Sequence, residues 1–120
     1  CMEMRSAGDD WRDFITLADV ARATEHFLAL DAGALVDGLF NVGSGQAMPV
    51  RAMVDLIAAR CEAVLGFRPE LKRPPLPATP RPPLDYRIDK LRASCFAPAG
   101  DIAPEIDATL VLCREAFAPR

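Results

Sequence analysis

Several residue types that commonly build functional sites are scarce in this sequence. It contains one histidine, one tryptophan and one tyrosine among 120 residues. It has no run of basic residues, so it offers no footprint for the phosphate backbone of a nucleic acid or for an anionic membrane. No apolar segment approaches the roughly 20 residues that a membrane-spanning helix requires. These absences argue against nucleic acids and membranes as partners.

The cysteines form no metal or redox motif. Cys1, Cys61, Cys95 and Cys113 include no Cys-x-x-Cys pair, and none lies near the single histidine at ligand spacing. No metal site is therefore expected, and we predict buried or half-buried thiols in a reducing compartment. The N-terminus opens with polar residues and lacks the apolar core of a signal peptide, which favours a cytoplasmic location.

The sequence does contain a moderate apolar content and a marked preference for arginine. Apolar residues make up 51% of the chain, and the net charge is −3. This content suffices for the core of one domain but not of two. Of the 14 basic residues, twelve are arginine, and the guanidinium fork matches the planar oxygen edges of phosphate or carboxylate. Arginine is therefore the expected ligand for any bound anion.

Hydrophobic periodicity predicts three main helices. The first follows Thr16, which suits an N-cap because Asp19 stands at the third helical position. The second spans Pro49–Leu65 and is followed by Gly66, where a C-terminal glycine belongs. The third begins near Asp101. Its predicted apolar face comprises Ile106, Leu110, Cys113 and Phe117.

The remaining elements are short. Seven of the eleven prolines fall in 69–83, which predicts an irregular or polyproline-like segment. A helical turn is expected over 90–93. The predicted strands lie within 12–17, 39–42, 70–73 and 86–88. The sequence thus predicts a small mixed α/β domain over residues 1–120, whose short elements require further protein to cover them.

Three segments carry a resemblance to a known family. The run from Arg12 to Ala23 contains Arg-Asp-Phe and Ala-Asp-Val-Ala, and residues 39–45 read Leu-Phe-Asn-Val-Gly-Ser-Gly. The later run 81–93 contains Arg-Pro, two aspartates and Lys-Leu-Arg. In this order and spacing they resemble the C-terminal half of the extended short-chain dehydrogenases/reductases, the NAD-dependent epimerases and dehydratases of sugar nucleotides. The resemblance extends over Gly8–Phe117.

The resemblance implies the substrate-binding half of such an enzyme. In the family this half holds the nucleoside diphosphate of the substrate, with two arginines on the diphosphate and an acid on the ribose. The matching residues are Arg12, Arg81 and Asp85. The segment 81–85 is one residue longer than the usual motif, so Lys72, Arg73 or Arg87 are alternatives to Arg81.

The resemblance also implies what the 120 residues do not supply. The cofactor-binding Rossmann half precedes this segment in the family and is not part of the sequence. NAD(P) is expected in the complete enzyme, and neither cofactor-binding nor catalytic residues are expected here. We therefore predict that the isolated chain has no oxidoreductase activity.

Three tempting sites are better explained in other ways. The loop Gly43–Gly45 has two glycines instead of the three of a dinucleotide fingerprint, so a tight turn is predicted. Tyr86 and Lys90 have the spacing of the family's catalytic pair, but they lie downstream of the Arg-Asp-Phe motif and are interpreted as a chance match. His26 lies on the polar side of the first helix and is predicted to be solvated.

Three interpretations remain open. The first is a nucleotide-sugar-binding part of an NAD-dependent epimerase or dehydratase that works with a Rossmann domain. The second is a stand-alone, non-catalytic binding or interaction module derived from that family. The third is a chain whose uncovered apolar surface drives homo-oligomer formation. Nucleoside-diphosphate binding that is lost on Arg12→Ala would favour the first.

Overall fold

The computed structural model describes residues 1–35 and 37–117, and Val36 and the last three residues of the predicted domain lie outside this description. The helices are α1 (Leu17–Ala29), α2 (Val50–Leu65), α3 (Asp89–Ala93) and α4 (Ala103–Ala116), with a 3₁₀ turn at Ala32–Leu35. The strands are β1 (Met2–Glu3), β2 (Trp11–Asp13), β3 (Ala47–Pro49) and β4 (Leu71–Lys72).

The strands form two separate pairs. β1 lies parallel to β4, with Met2 opposite Leu71. β2 lies antiparallel to β3, with Arg12 opposite Met48 and Asp13 opposite Ala47. The predicted strands within 12–17 and 70–73 are confirmed as β2 and β4, although both are shorter. The predicted fold class, a small mixed α/β domain, is confirmed.

Two other predicted strands are wrong. Residues 39–42 and 86–88 have extended character in sequence, but the structure gives neither of them a strand. The two segments are joined by a hydrogen bond, in which the Asn41 side-chain amide donates to the Arg87 backbone carbonyl at 3.1 Å. The strand that pairs with β2 comes later, at Ala47–Pro49. A short apolar run can predict a strand, but it cannot predict which backbone is available to pair with it.

The start of α1 is capped as predicted, with one unpredicted addition. Thr16 Oγ1 accepts a hydrogen bond from the Asp19 amide at 3.0 Å, which confirms Thr16 as the N-cap. The Thr16 carbonyl accepts from Val20 N. The Leu17 amide donates to the carboxylate of Glu105, in α4, at 2.7 Å. This carboxylate also suits the positive end of the α1 dipole, so α4 is joined to the start of α1.

Asp19 connects α1 to the segment that leads into α4. Its side chain is buried, with 1% exposure. Both carboxylate oxygens accept from the Ala99 amide at 3.1 Å, and one accepts from Gly100 N at 3.3 Å. Arg22 Nη1 lies 2.5 Å from Asp19 Oδ1. Burial alone raises the pKa of Asp19, but the hydrogen bonds from Ala99, Gly100, Arg22 and Thr16 outweigh it and lower the pKa below its usual value.

Helix α2 provides the main support for β3 and α4. It begins at Val50, with Pro49 as its N-cap instead of its predicted first residue. It ends at Gly66, whose φ of 77° is the left-handed conformation predicted for this glycine. Its buried residues are Met53, Ala58 and Cys61.

Helix α4 packs beside α2 along its first half only. Arg60 of α2 makes a two-pronged ion pair with Asp107 of α4, with N···O distances of 2.6 and 2.5 Å. Ile106 and Leu110 are half-buried, in agreement with the predicted apolar face. Phe117 is 82% exposed. Phe117 lies just past the end of α4 and does not extend the half-buried face that Ile106 and Leu110 form.

A small core lies between α1 and α3. It comprises Ala23, Ile88, Leu91 and Phe96, with Phe27, Val42 and Tyr86 packed against it. His26 borders this core: its ring centroid lies 5.5 Å from that of Phe96, and its Nε2 lies 3.0 Å from Ser94 Oγ. The prediction of a solvated histidine is therefore wrong, because α3 and the turn after it fold over the side of α1 that carries His26.

The thiols differ from the prediction in their exposure. All four cysteines are free, and Cys61 is buried in α2 as expected. Cys1, Cys95 and Cys113 are exposed. Cys113 lies in the half of α4 that continues past the contact with α2, and Cys95 lies in a turn with a φ of 70°. The exposure therefore follows from where the supporting elements end.

The molecule is thin for its length. Its principal dimensions are 51 × 44 × 19 Å, and its radius of gyration is 17.6 Å. A globular chain of this length is expected to have a radius of gyration of about 14 Å. The excess means that much apolar surface lies near the faces of a thin body instead of inside a core.

Candidate functional site

Arg12 projects from β2 with no acidic partner. It is exposed, and its Nη1 donates to the neighbouring Trp11 carbonyl at 2.8 Å. The two acids that could have formed a structural ion pair with it are occupied elsewhere, Asp13 by a loop and Asp19 by the segment before α4. Among residues 1–35 and 37–117, no carboxylate forms a salt bridge with Arg12. Its guanidinium is therefore available to an external anion.

The Asp13 carboxylate bonds to the amides of the glycine loop, where an external anion would otherwise bind. Its Oδ1 accepts from the Ser44 amide at 2.6 Å and its Oδ2 from the Gly45 amide at 2.8 Å. A side chain on Gly43 would meet the Tyr86 ring at 2.6 Å, and Gly45 has a φ of 72°. The loop is thus a tight structural turn, as predicted, and its amides are not free to hold a phosphate.

Arg81 is held at the end of β2 by Asp10. Arg81 Nη1 lies 2.5 Å from Asp10 Oδ1. The Asp10 carbonyl accepts from Val50 N at 2.8 Å, which extends the β2–β3 pairing to this residue. Side chains two residues apart on an extended strand share a face, so Asp10 and Arg12 lie on the same face. The structure therefore places Arg81 beside the residue that precedes β2, the strand that carries Arg12.

The other basic candidates are engaged elsewhere or lie on another strand. Arg73 pairs with Asp55 of α2 at 3.0 Å, which lowers the pKa of that carboxyl. Arg87 pairs with Asp89, two residues further along the chain, at 2.9 Å. Lys72 is an exposed residue of β4. Among the alternatives, Arg81 is thus the one that contacts the β2 region.

Asp85 is not brought into contact with the arginines. It is exposed, and within the described part of the chain it makes no hydrogen bond to Arg12 or Arg81. Its neighbour Tyr86 packs against Gly43. The predicted ribose contact of Asp85 stays a prediction.

A cavity that the sequence did not predict adjoins Arg81. It has a volume of about 490 Å³ and lies between the chain before β2 and the proline-rich segment. It is open to solvent on one side. The proline density was the only signal for it in the sequence. Its lining residues are Ala7, Asp9, Pro75, Leu76, Pro77, Thr79 and Arg81.

Tyr86 and Lys90 do not form a catalytic pair. The Lys90 ammonium contacts the Asp37 carboxylate and donates to the Leu39 carbonyl at 2.6 Å. It also lies 4.6 Å from the centroid of the Phe40 ring. The Tyr86 ring packs against the glycine loop instead. The interpretation of this spacing as a chance match agrees with these contacts.

Two features are absent from the described residues. No helix there is both long enough and apolar enough to cross a membrane. No group of three histidine, cysteine or acidic side chains within 1–35 and 37–117 is arranged to hold a metal ion. The candidate site consequently consists of Arg12, Arg81 and the cavity beside Arg81.

Comparison with solved structures gives a fold match. The chain is similar to UDP-N-acetylglucosamine 4-epimerase from Methanobrevibacter ruminantium M1, solved in complex with UDP-N-acetylmuramic acid. The TM-score is 0.68 at 18% sequence identity, over 96% of this chain and 35% of that one. The fold is that of part of an epimerase. This chain spans about a third of the length of the protein it matches.

The sequence comparisons add no family. No protein-family model matches the chain, and no curated protein sequence matches it. The similarity therefore lies in the course of the backbone, which is consistent with the low identity of the structural match.

Proposed function

We propose that this chain binds the nucleoside-diphosphate part of a sugar nucleotide, as the C-terminal, substrate-binding part of an NAD-dependent sugar-nucleotide epimerase or dehydratase. The observation that carries the proposal is the ion pair between Arg81 and Asp10, which lies beside the start of the strand that carries Arg12. The fold match to an epimerase solved with a UDP-sugar supports the same ligand class.

The chemistry of the two arginines suits a diphosphate. A diphosphate presents several charged oxygens, and each guanidinium can donate two parallel hydrogen bonds to them. Arg12 comes from a strand and Arg81 from an irregular segment, so together they could hold the ligand from two directions. The neighbouring cavity of about 490 Å³ would receive the nucleoside, with Asp85 proposed for a ribose hydroxyl.

The shape of the molecule supports a role within a larger protein. A thickness of 19 Å leaves few residues fully enclosed. Leu17 and Leu28 of α1 are 76% and 83% exposed, and they are separated by three helical turns, which places them on one face. A cofactor-binding Rossmann domain is the partner that we propose for this surface.

The described residues do not fit NAD. A dinucleotide fold uses free loop amides to hold the pyrophosphate. Here the amides of Ser44 and Gly45 are bonded to Asp13. NAD(P) is accordingly assigned to the partner domain, and this chain's residues serve only to bind and orient the substrate.

Titration calorimetry with UDP tests the proposal. Arg12→Ala and Arg81→Ala should each weaken binding about tenfold to a hundredfold, because a hydrogen bond to a charged group is worth about 1.5–3 kcal/mol. Arg81→Lys should recover only part of the loss, since lysine lacks the fork. Arg114→Ala, an exposed arginine in the last turn of α4, is the matched control and should bind as wild type does. Equal affinities in all variants would refute the assignment.

The second candidate is a non-catalytic interaction module. The exposed leucines of α1 are the observation that favours it. Sedimentation analysis distinguishes the two functions: self-association that is abolished by Leu28→Glu, together with an absence of UDP binding, would support the interaction module. A monomer that binds UDP would support the first function.

A further inference from the structure

We propose that the Asp10 carboxylate pairs with the Arg81 guanidinium in the absence of ligand, and that this ion pair must break when a diphosphate binds. This inference rests on the proposed function and concerns the ion pairing within the site before the substrate binds. Asp10 would thus set the affinity for the diphosphate without making a favourable contact with it.

The first argument is the geometry of the pair. Arg81 Nη1 lies 2.5 Å from Asp10 Oδ1, and within residues 1–35 and 37–117 this is the one ion pair that Arg81 makes. Asp10 is two residues before Arg12 on the same extended chain. The Asp10 carboxylate thus occupies a hydrogen-bonding position on the Arg81 guanidinium that a phosphate oxygen would also use.

The second argument is the nature of the segment that carries Arg81. Residues 73–88 contain no helix or strand, so their position depends on side-chain contacts. The prolines 75 and 77 line one side of the cavity and Ala7 and Asp9 the other. Because no helix or strand includes this segment, the Arg81 side chain can turn from Asp10 to a ligand without breaking regular secondary structure.

The third argument is electrostatic. Asp9 lines the cavity and Asp10 follows it directly. The phosphate oxygens of an incoming diphosphate compete with the Asp10 carboxylate for the Arg81 guanidinium. The Arg81 side chain is 68% exposed and that of Asp10 28%, so the arginine can leave while Asp10 stays on its strand. Partly exposed pairs of this kind are weak enough to exchange.

The test compares Asp10→Asn with wild type in UDP titrations. Asparagine keeps the size and the backbone hydrogen bond to Val50 but removes the charge that competes for Arg81. We expect UDP to bind roughly two- to fivefold more tightly, the range that a partly exposed ion pair carries. Uridine, which has no phosphate, should bind both proteins equally. Asp31→Asn removes the same charge from the loop after α1 and should leave UDP affinity unchanged.

A double substitution makes the inference specific to Arg81. In the Arg81→Ala background, Asp10→Asn should no longer tighten UDP binding, because the arginine for which Asp10 and UDP compete is absent. Weaker binding by Asp10→Asn would overturn the inference and make Asp10 a residue that positions Arg81. An equal gain in the Arg81→Ala background would also overturn it. If no variant binds UDP, the proposed function itself fails. If wild type binds UDP but Asp10→Asn binds it no more tightly, only the inference about Asp10 fails.

Discussion

At the scale of single residues, the most informative contact is the one between Asp13 and the glycine loop. The two charged residues of the Arg-Asp-Phe motif do different things. Arg12 is exposed and pairs with no acid among the residues that the structure describes, whereas Asp13 turns inward and bonds to the amides of Ser44 and Gly45. The motif therefore combines one binding residue with one structural residue.

Replacing Asp13 should destabilise the fold. Asp13→Ala leaves two loop amides without their charged acceptor, and each such hydrogen bond is worth about 1.5–3 kcal/mol. We expect the free energy of unfolding, measured by urea denaturation, to fall by about 2–3 kcal/mol, since water recovers part of the loss. Asp31→Ala is the control. A change below about 0.5 kcal/mol, the usual range of surface substitutions, would contradict the structural role of Asp13.

The glycine at position 43 offers a second test with an internal control. A methyl group there would lie 2.6 Å from the Tyr86 ring, whereas one at Gly33 has nothing within 4 Å. Gly43→Ala should cost about 1–3 kcal/mol through overpacking, and Gly33→Ala should be neutral or slightly stabilising. Thermal denaturation of both variants measures the difference. Equal melting temperatures would show that Tyr86 moves aside.

At the scale of elements, the helices were predictable and the strands were less so. The Thr16 cap and Gly66 are local signals, so the sequence marks the start of α1 and the end of α2. The failure at 39–42 has a different origin, because strand formation requires a partner elsewhere in the chain. The pairing of Arg81 with Asp10 is also non-local, since 70 residues separate them. The arginines of the site could be chosen from sequence, but their meeting point and the cavity could not.

The connection between α1 and α4 should depend on pH. The folded-state pKa of Asp19 is lowered below its unfolded value, which is about 3.9. Its stabilising contribution is therefore fully present above that pH and is lost as the pH falls through the folded-state pKa. Unfolding free energies measured between pH 7 and pH 3 should decrease less in Asp19→Asn than in wild type. Parallel pH profiles would show that Asp19 does not contribute to the acid sensitivity.

At the scale of the whole molecule, the thin shape agrees with a chain that works beside another domain. A radius of gyration of 17.6 Å against an expected value of about 14 Å leaves the faces of α1 and α4 near solvent. Leu112 on α4 is 64% exposed, and Phe117, just past its end, is 82% exposed. The short elements of the sequence indicated that further protein must cover them, but the sequence could not show which surfaces remain exposed.

The same reasoning leads to a prediction about activity. The purified chain should show no NAD-dependent conversion of UDP-sugars, because the loop amides that resemble a dinucleotide site are bonded to Asp13. Absorbance at 340 nm and product analysis with UDP-N-acetylglucosamine measure this directly. Turnover by the purified chain would overturn the proposed division of roles.

A thickness of 19 Å corresponds to about two layers of secondary structure, since packed helices lie about 8–10 Å apart. In such a body almost every backbone amide is separated from water by at most one layer, so slow hydrogen–deuterium exchange should be restricted to the middle of α2 around Met53 and Ala58. A partner that covers one face would slow the exchange of α1 or α4 on that side alone. The exchange pattern would then outline the surface that the partner occupies.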